Sequence, residues 1–193
     1  VVSVPNELIK RNIPAGYFDG ANLLTEINGL LNKQFESNED LALSYSNQQL
    51  FLNRKYISKH HLKLKDIQEA AANYILTKEG VMNTYTAYQL HHYEYLNGFH
   101  SLIQNGFHQK RSGDVIVNYN PGWIQWDSET GTTHGSCFSY DTHVPLLFWG
   151  ANIKNDLSDE KVEIIDVAPS ICLLLGISFP NGCTGKPLKE ITE

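Results

Sequence analysis

The chain has 193 residues, 41% of them hydrophobic and 19% charged, with a formal net charge of −6 and a pI near 5.7. This is ordinary globular composition, enough for one domain or for a core segment with a modest subdomain. The acidic balance excludes a nucleic-acid duplex as main partner, which needs a basic footprint, and no apolar run approaches the ~18 residues of a membrane span. Pro5 opens a short helix over 5–11 that closes before Pro14, because the residue ahead of a proline avoids helical angles. Asp19 caps the next helix, whose stripe is Leu23, Leu24, Ile27, Leu30 and Leu31. Leu41, Leu43 and Tyr45 alternate, Ser46-Asn47-Gln48 turns, and Leu50-Phe51-Leu52 returns, which predicts a hairpin. Leu64, Ile67, Ala71, Tyr74 and Ile75 mark a helix running to a left-handed cap at Gly80. A strand over 81–85 follows, then a helix through Leu96, Phe99, Leu102 and Ile103 ending at Asn105-Gly106.

These elements predict a small α+β subdomain over residues 1–112, bounded at Lys110-Arg111-Ser112-Gly113. From Asp114 the texture changes. Val115-Ile116-Val117 is apolar on both faces, a polar loop covers 120–142, and a second buried strand is expected over 144–149. A helix over 166–175, capped by Asp166 and ended by Gly176, completes the segment. Residues 113–193 are therefore expected to form part of an α/β core, with adjacent parallel strands and ligand loops at the strand ends. Cys172 reads as core; Cys137 and Cys183 are either paired or free.

The richest stretch is Gly131-Thr132-Thr133-His134-Gly135-Ser136, followed by Tyr140-Asp141-Thr142-His143-Val144-Pro145 and Leu146-Leu147-Phe148-Trp149-Gly150. It sets an imidazole in a loop of small residues whose hydroxyls can fix its ring. Proteins build metal sites and general bases in this way. The pattern GTTHGS-x-x-x-YDTHVPLLFWG, with VEIIDVAPSICLLLGISFPNGCTGKPL over 162–188, resembles the C-terminal part of the alkaline phosphatase superfamily, in particular its threonine-nucleophile phosphatases and its nucleotide pyrophosphatase/phosphodiesterase branch. The clear motifs cover residues 113–188.

The resemblance implies an α/β fold: the C-terminal part of an alkaline-phosphatase-like sheet sandwich plus the small α+β subdomain. It implies a hydrolase of phosphate esters, acting on monoesters or diesters, with two zinc ions in the intact protein. His134 would supply one zinc ligand. Asp141 and His143 complete a His-x6-Asp-x-His array, but His143 stands at the entrance of the expected strand and Asp141 is suited to orienting an imidazole; both read as supports around the site, not ligands. In the family an Asp-His-Gly motif precedes a segment similar to VVSVPNELIKRNIPAG. Beginning at Val1-Val2-Ser3 without methionine, this chain reads as a processed or excised piece that lacks the nucleophile and the N-terminal half of the catalytic domain. No catalytic residue is assigned within it, and by itself it is expected to be inactive. Family resemblance also implies a periplasmic or extracellular location.

The remaining candidates are weaker. His60-His61 and His91-His92 are adjacent pairs, and neighbours on a strand face opposite ways, so neither pair readily chelates one ion. Trp123 and Trp126 either line a substrate entrance or fill the space beneath the loop, the latter favoured. No phosphate-cradling glycine loop, Cys-x-x-Cys pair or Gly-x-Ser-x-Gly elbow offers a second route to catalysis. A competing reading is a non-catalytic α/β module that binds a ligand or partner and keeps a vestigial histidine.

Overall fold

A computed structural model describes residues 5–125, 133–150 and 153–192. The backbone separates into two compact units, one ending at Val144 and the other beginning at Pro145.

In the first unit a short helix α1 (Pro5–Lys10) leads through β1 (Gly16–Phe18) into α2 (Gly20–Gln34). The Asp19 side chain accepts from the Asn22 amide at 2.9 Å, satisfying one of the donors a helix start leaves open. The stripe on α2 buries Leu23, Ile27 and Leu31. The hairpin forms as expected, β2 (Ala42–Ser46) against β3 (Gln49–Leu52), with Asn47 and Gln48 both at positive φ (49° and 60°). A two-residue turn of that hand matches the twist of the strands it joins. Asn28 on α2 brackets the start of β2, accepting from the Ala42 amide at 2.8 Å and donating to its carbonyl at 2.9 Å.

Two short helices had no periodic signal. α3 (Arg54–Lys59) is capped by Asn53, and α5 (Ala87–His92) by a reciprocal Thr86/Gln89 box. Between them lies α4 (Leu64–Leu76), burying Ile67, Ala71 and Ile75. It stops at Leu76, short of the expected cap. Gly80 is left-handed (φ +85°) but serves the turn into β4 (Val81–Thr86), where a β-carbon would stand 2.2 Å from Cε3 of Trp123. Trp123 thus packs against the Gly80 turn and the edge of the core, while Trp126 and the rest of its loop to residue 132 lie outside the described residues.

After α6 (Gly98–Gly106) comes β5 (Val115–Tyr119), and here the expected topology fails. β5 is not a parallel core strand. It lies antiparallel between β3 and β4 in a sheet of order β2-β3-β5-β4, with Leu50 opposite Val115 and Thr84 opposite Val117. The expected boundary after residue 112 therefore falls inside the first unit. β5 needs both faces covered, and α2 and α4 cover one of them with Ile27, Leu31, Ile67 and Ile75. The one parallel pairing among the described strands joins β1 to β6 (Trp123–Gln125). Buried Asp114, just ahead of β5, accepts from the Leu52 amide, Arg54 Nε and Gln68 Nε2, each at 2.9 Å, so its charge is fully engaged.

The strand expected over 144–149, which runs from the end of the first unit into the second, is absent: those residues adopt no regular structure. A strand needs a ladder partner for its N–H and C=O groups, and none of the described strands pairs with this run. Leu147 and Trp149 are consequently 88% and 98% exposed. A single 3-10 turn (Ile164–Asp166) precedes α8 (Val167–Leu175), which ends at left-handed Gly176 as expected. Asp166 does not cap α8 with its side chain. Its carboxylate accepts from the Lys186 amide at 2.8 Å and the Glu163 amide at 3.0 Å, strapping the Gly185-Lys186-Pro187-Leu188 tail against the helix start. Buried Ser170 adds a second strap by accepting from the Leu188 amide at 2.8 Å. At Gly185 a β-carbon would sit 2.1 Å from the Ile165 carbonyl oxygen, so only glycine allows this approach. α8 is apolar all round, yet buries only Pro169, Ser170 and Cys172.

Candidate functional site

His134 lies on an exposed, irregular segment of the first unit that leads into α7 (Ser139–Thr142). Gly135, at φ +108°, turns the backbone immediately after it. Gly131 and Thr132 lie outside the described residues. The hydroxyls expected to fix the imidazole are used elsewhere. Thr133 Oγ1 donates to the His134 carbonyl at 3.4 Å, and Ser136 Oγ donates to Asp141 Oδ2 at 2.6 Å. Among the described residues the His134 ring has no hydrogen-bond partner.

Asp141 supports the site differently from expectation. It holds no imidazole; the same Oδ2 accepts from the Ser136 amide at 2.8 Å and from its hydroxyl. One half-buried carboxylate thereby closes the loop two residues after His134. Phe138 anchors the segment from the other side, packing edge-on against Phe99 of α6 (centroids 5.0 Å) and stacking with Tyr140 at 5.4 Å. His143 is exposed where α7 ends. The structure thus joins Asp141 to Ser136 and leaves His134 and His143 presented to solvent.

Cys137 is half-buried, and that burial pushes its thiol above the usual range. Burial likewise raises the Tyr85 phenol, with Cys137 a smaller contributor. Each cysteine carries a free thiol, and Cys172 is buried as expected. Tyr85 Oη and Asn118 Nδ2 are buried polar atoms without a partner among the described residues. Register places Tyr85 opposite Ile116 and Asn118 opposite Asn83, hence on one face of the sheet. The period-two pattern of β4 and β5 carried that signal in sequence; Ser136 was legible only as one hydroxyl among several.

Zinc requires about three protein ligands in a catalytic site. No group of three histidine, cysteine or carboxylate side chains able to hold a metal occurs among the described residues. They offer single donors, and on these residues alone no catalytic step through a metal follows.

No family model matches the chain. It is 31% identical over 179 residues to the alkaline phosphatase PafA of Elizabethkingia meningoseptica, a match covering 93% of this chain and 32% of that protein. It is also 31% identical over 180 residues to a protein of Myroides odoratus named as a calcium-transporting ATPase, covering 93% and 33% of the two chains. The alkaline phosphatase PhoV of Synechococcus elongatus is 25% identical over 169 residues, covering 88% and 30%. The chain spans about a third of the length of these curated relatives. The crystal structure of wild-type alkaline phosphatase PafA superimposes on it with a TM-score of 0.85 at 29% identity, over 97% of this chain and 35% of that one.

Proposed function

The chain belongs to the alkaline phosphatase superfamily and shares its mixed α/β fold, and we propose that it is part of a zinc-dependent hydrolase of phosphate monoesters or diesters. In this reading His134 is one metal ligand, and the remaining ligands and the nucleophile come from outside the described residues. The observation that carries it is the His134 segment: an exposed imidazole, uncommitted among the described residues and held in a loop closed by the Ser136–Asp141 clamp. Neutral imidazole on a fixed loop is the commonest donor to zinc, and the metal supplies charge stabilisation to a phosphoryl oxygen. Asp141 acts here as the fastener of the ligand loop. His143, exposed where α7 ends, stays in a supporting place near it. The reading extends to a periplasmic or extracellular location, on family resemblance.

The test is His134→Ala in the full gene product that contains this chain. We expect loss of most zinc from one of two sites and loss of phosphate-ester turnover, with an unchanged circular dichroism spectrum, because His134 is exposed and the sheet is held by Val115, Val117 and Leu50. Unchanged zinc stoichiometry together with unchanged turnover would refute the assignment and favour a non-catalytic module.

A further inference from the structure

The first unit carries an open, solvent-facing cavity, a depression of about 230 Å³ between α3, α4 and α5, with Phe107 among its lining residues. None of its lining residues belongs to the His134 segment. Its walls are mostly apolar: Leu64, Ala87 and the rings of Tyr88, His92 and Phe107. Tyr88 and His92 form one aromatic slab, their rings stacked at 4.0 Å, with His92 Nδ1 fixed 2.8 Å from the Tyr88 carbonyl. Two cations border this apolar surface: Lys65 Nζ sits 4.5 Å from the Tyr88 ring centroid, and Arg54 is among the lining residues.

Arg54 is held by one edge only. Its Nε donates to buried Asp114, which is itself locked by the Leu52 amide and Gln68. Both Nη groups are left without a partner among the described residues, and they form the planar fork that matches an oxyanion. Gln68 completes the frame, its Oε1 accepting from the Tyr88 amide at 3.1 Å. No carboxylate lines the cavity. Asp114 is consumed beneath it, and Glu69 reaches Lys65 only at 3.7 Å, with both side chains nearly half exposed.

We propose that this cavity binds a small aromatic oxyanion: one planar ring packed against the His92 and Phe107 rings, its carboxylate or phosphate on the Arg54 fork and Lys65. Size supports a single ring, since the volume lies below the roughly 300–1,000 Å³ of drug-sized sites. The site is independent of the metal reading, and neither stands or falls with the other.

Amide NMR titration of the 193-residue chain tests it, with benzoate and phenyl phosphate as probes and inorganic phosphate and benzyl alcohol as controls. We expect saturable shifts at Tyr88 and Phe107 with Kd near about 1 mM, and both controls weaker by about tenfold, because each lacks either the ring or the charge. Binding of only one probe identifies the oxyanion as carboxylate or phosphate and supports the class. Arg54→Gln should weaken binding about tenfold. Because Arg54 also donates to buried Asp114, Lys65→Gln and Phe107→Ala are measured beside it; both act at the cavity wall without touching that carboxylate, and each should weaken binding. Absence of shifts from both probes at about 20 mM, or affinities unchanged in all three variants, overturns the proposal. Inorganic phosphate binding as tightly as phenyl phosphate overturns the aromatic assignment.

Discussion

Replacing Asp141 with alanine removes both hydrogen bonds that close the His134 loop, at 2.8 and 2.6 Å from the Ser136 amide and hydroxyl. Hydrogen bonds to a charged group are worth about 1.5–3 kcal/mol each when shielded. The carboxylate is only half-buried, so about 2 kcal/mol for the pair is the appropriate scale after solvent screening. That free energy shifts the closed–open equilibrium of the loop about thirtyfold. Global stability should change little, because the loop contributes none of the buried core. The direct assay is hydrogen exchange of the Ser136 amide in this chain, which should accelerate by up to about thirtyfold in Asp141→Ala. Asp141→Asn keeps one acceptor oxygen and should recover part of the protection. Under the proposed function, zinc affinity at the His134 position in the full gene product should fall by at most the same factor, since binding is diluted by the open population. Ser136 exchange unchanged in Asp141→Ala would show that the clamp does not hold the loop.

Three further outcomes follow from the packing. Gly80→Ala must place a β-carbon at φ +85° and 2.2 Å from the Trp123 ring, and the left-handed strain and overpacking together should cost about 2–4 kcal/mol in urea unfolding; a loss under about 0.5 kcal/mol would contradict the placement of Trp123. Asp166 is held below the usual carboxylate range, first by the Lys186 amide and then by the Glu163 amide. Its stabilisation of the tail is therefore present above the unfolded value near about 3.9 and disappears as pH falls through the lower folded value; protection of the Lys186 amide, taken as its exchange relative to the intrinsic rate at each pH, should hold steady from pH 7 down to about pH 4 and fall below it, and a loss of protection already at neutral pH would contradict the strap. Finally, Leu147 and Trp149 are 88% and 98% exposed, and each large apolar side chain left in water forgoes about 1.5–3 kcal/mol. The 193-residue chain should therefore self-associate with rising concentration in sedimentation, and Leu147→Lys with Trp149→Lys should reduce that association; concentration-independent monomers of the unmodified chain would count against it.

Local signals fixed much of the chain without help from tertiary structure. Asp19, the α2 stripe, the Asn47-Gln48 turn and Gly176 each dictate their element through backbone chemistry within a few residues, and all four appear as read. Motif similarity likewise pointed to the superfamily, because Asp-x-Ala-Pro, the Gly-x-Pro-Leu tail and the His134 loop sit in fixed order along the chain. Strand pairing was not legible. An apolar run such as Val115-Ile116-Val117 is compatible with a parallel or an antiparallel ladder, and only the arrival of β3 and β4 on its two edges chose the latter. The run over 144–149 has the same composition but forms no strand, since hydrophobicity requires burial while a ladder requires a neighbour. The roles of Asp141, Asp166 and Asp114 were equally a matter of tertiary structure. Each carboxylate serves whichever N–H or O–H donors the folded backbone brings within about 3 Å: Ser136 for the first, Lys186 and Glu163 for the second, and Leu52, Arg54 and Gln68 for the third.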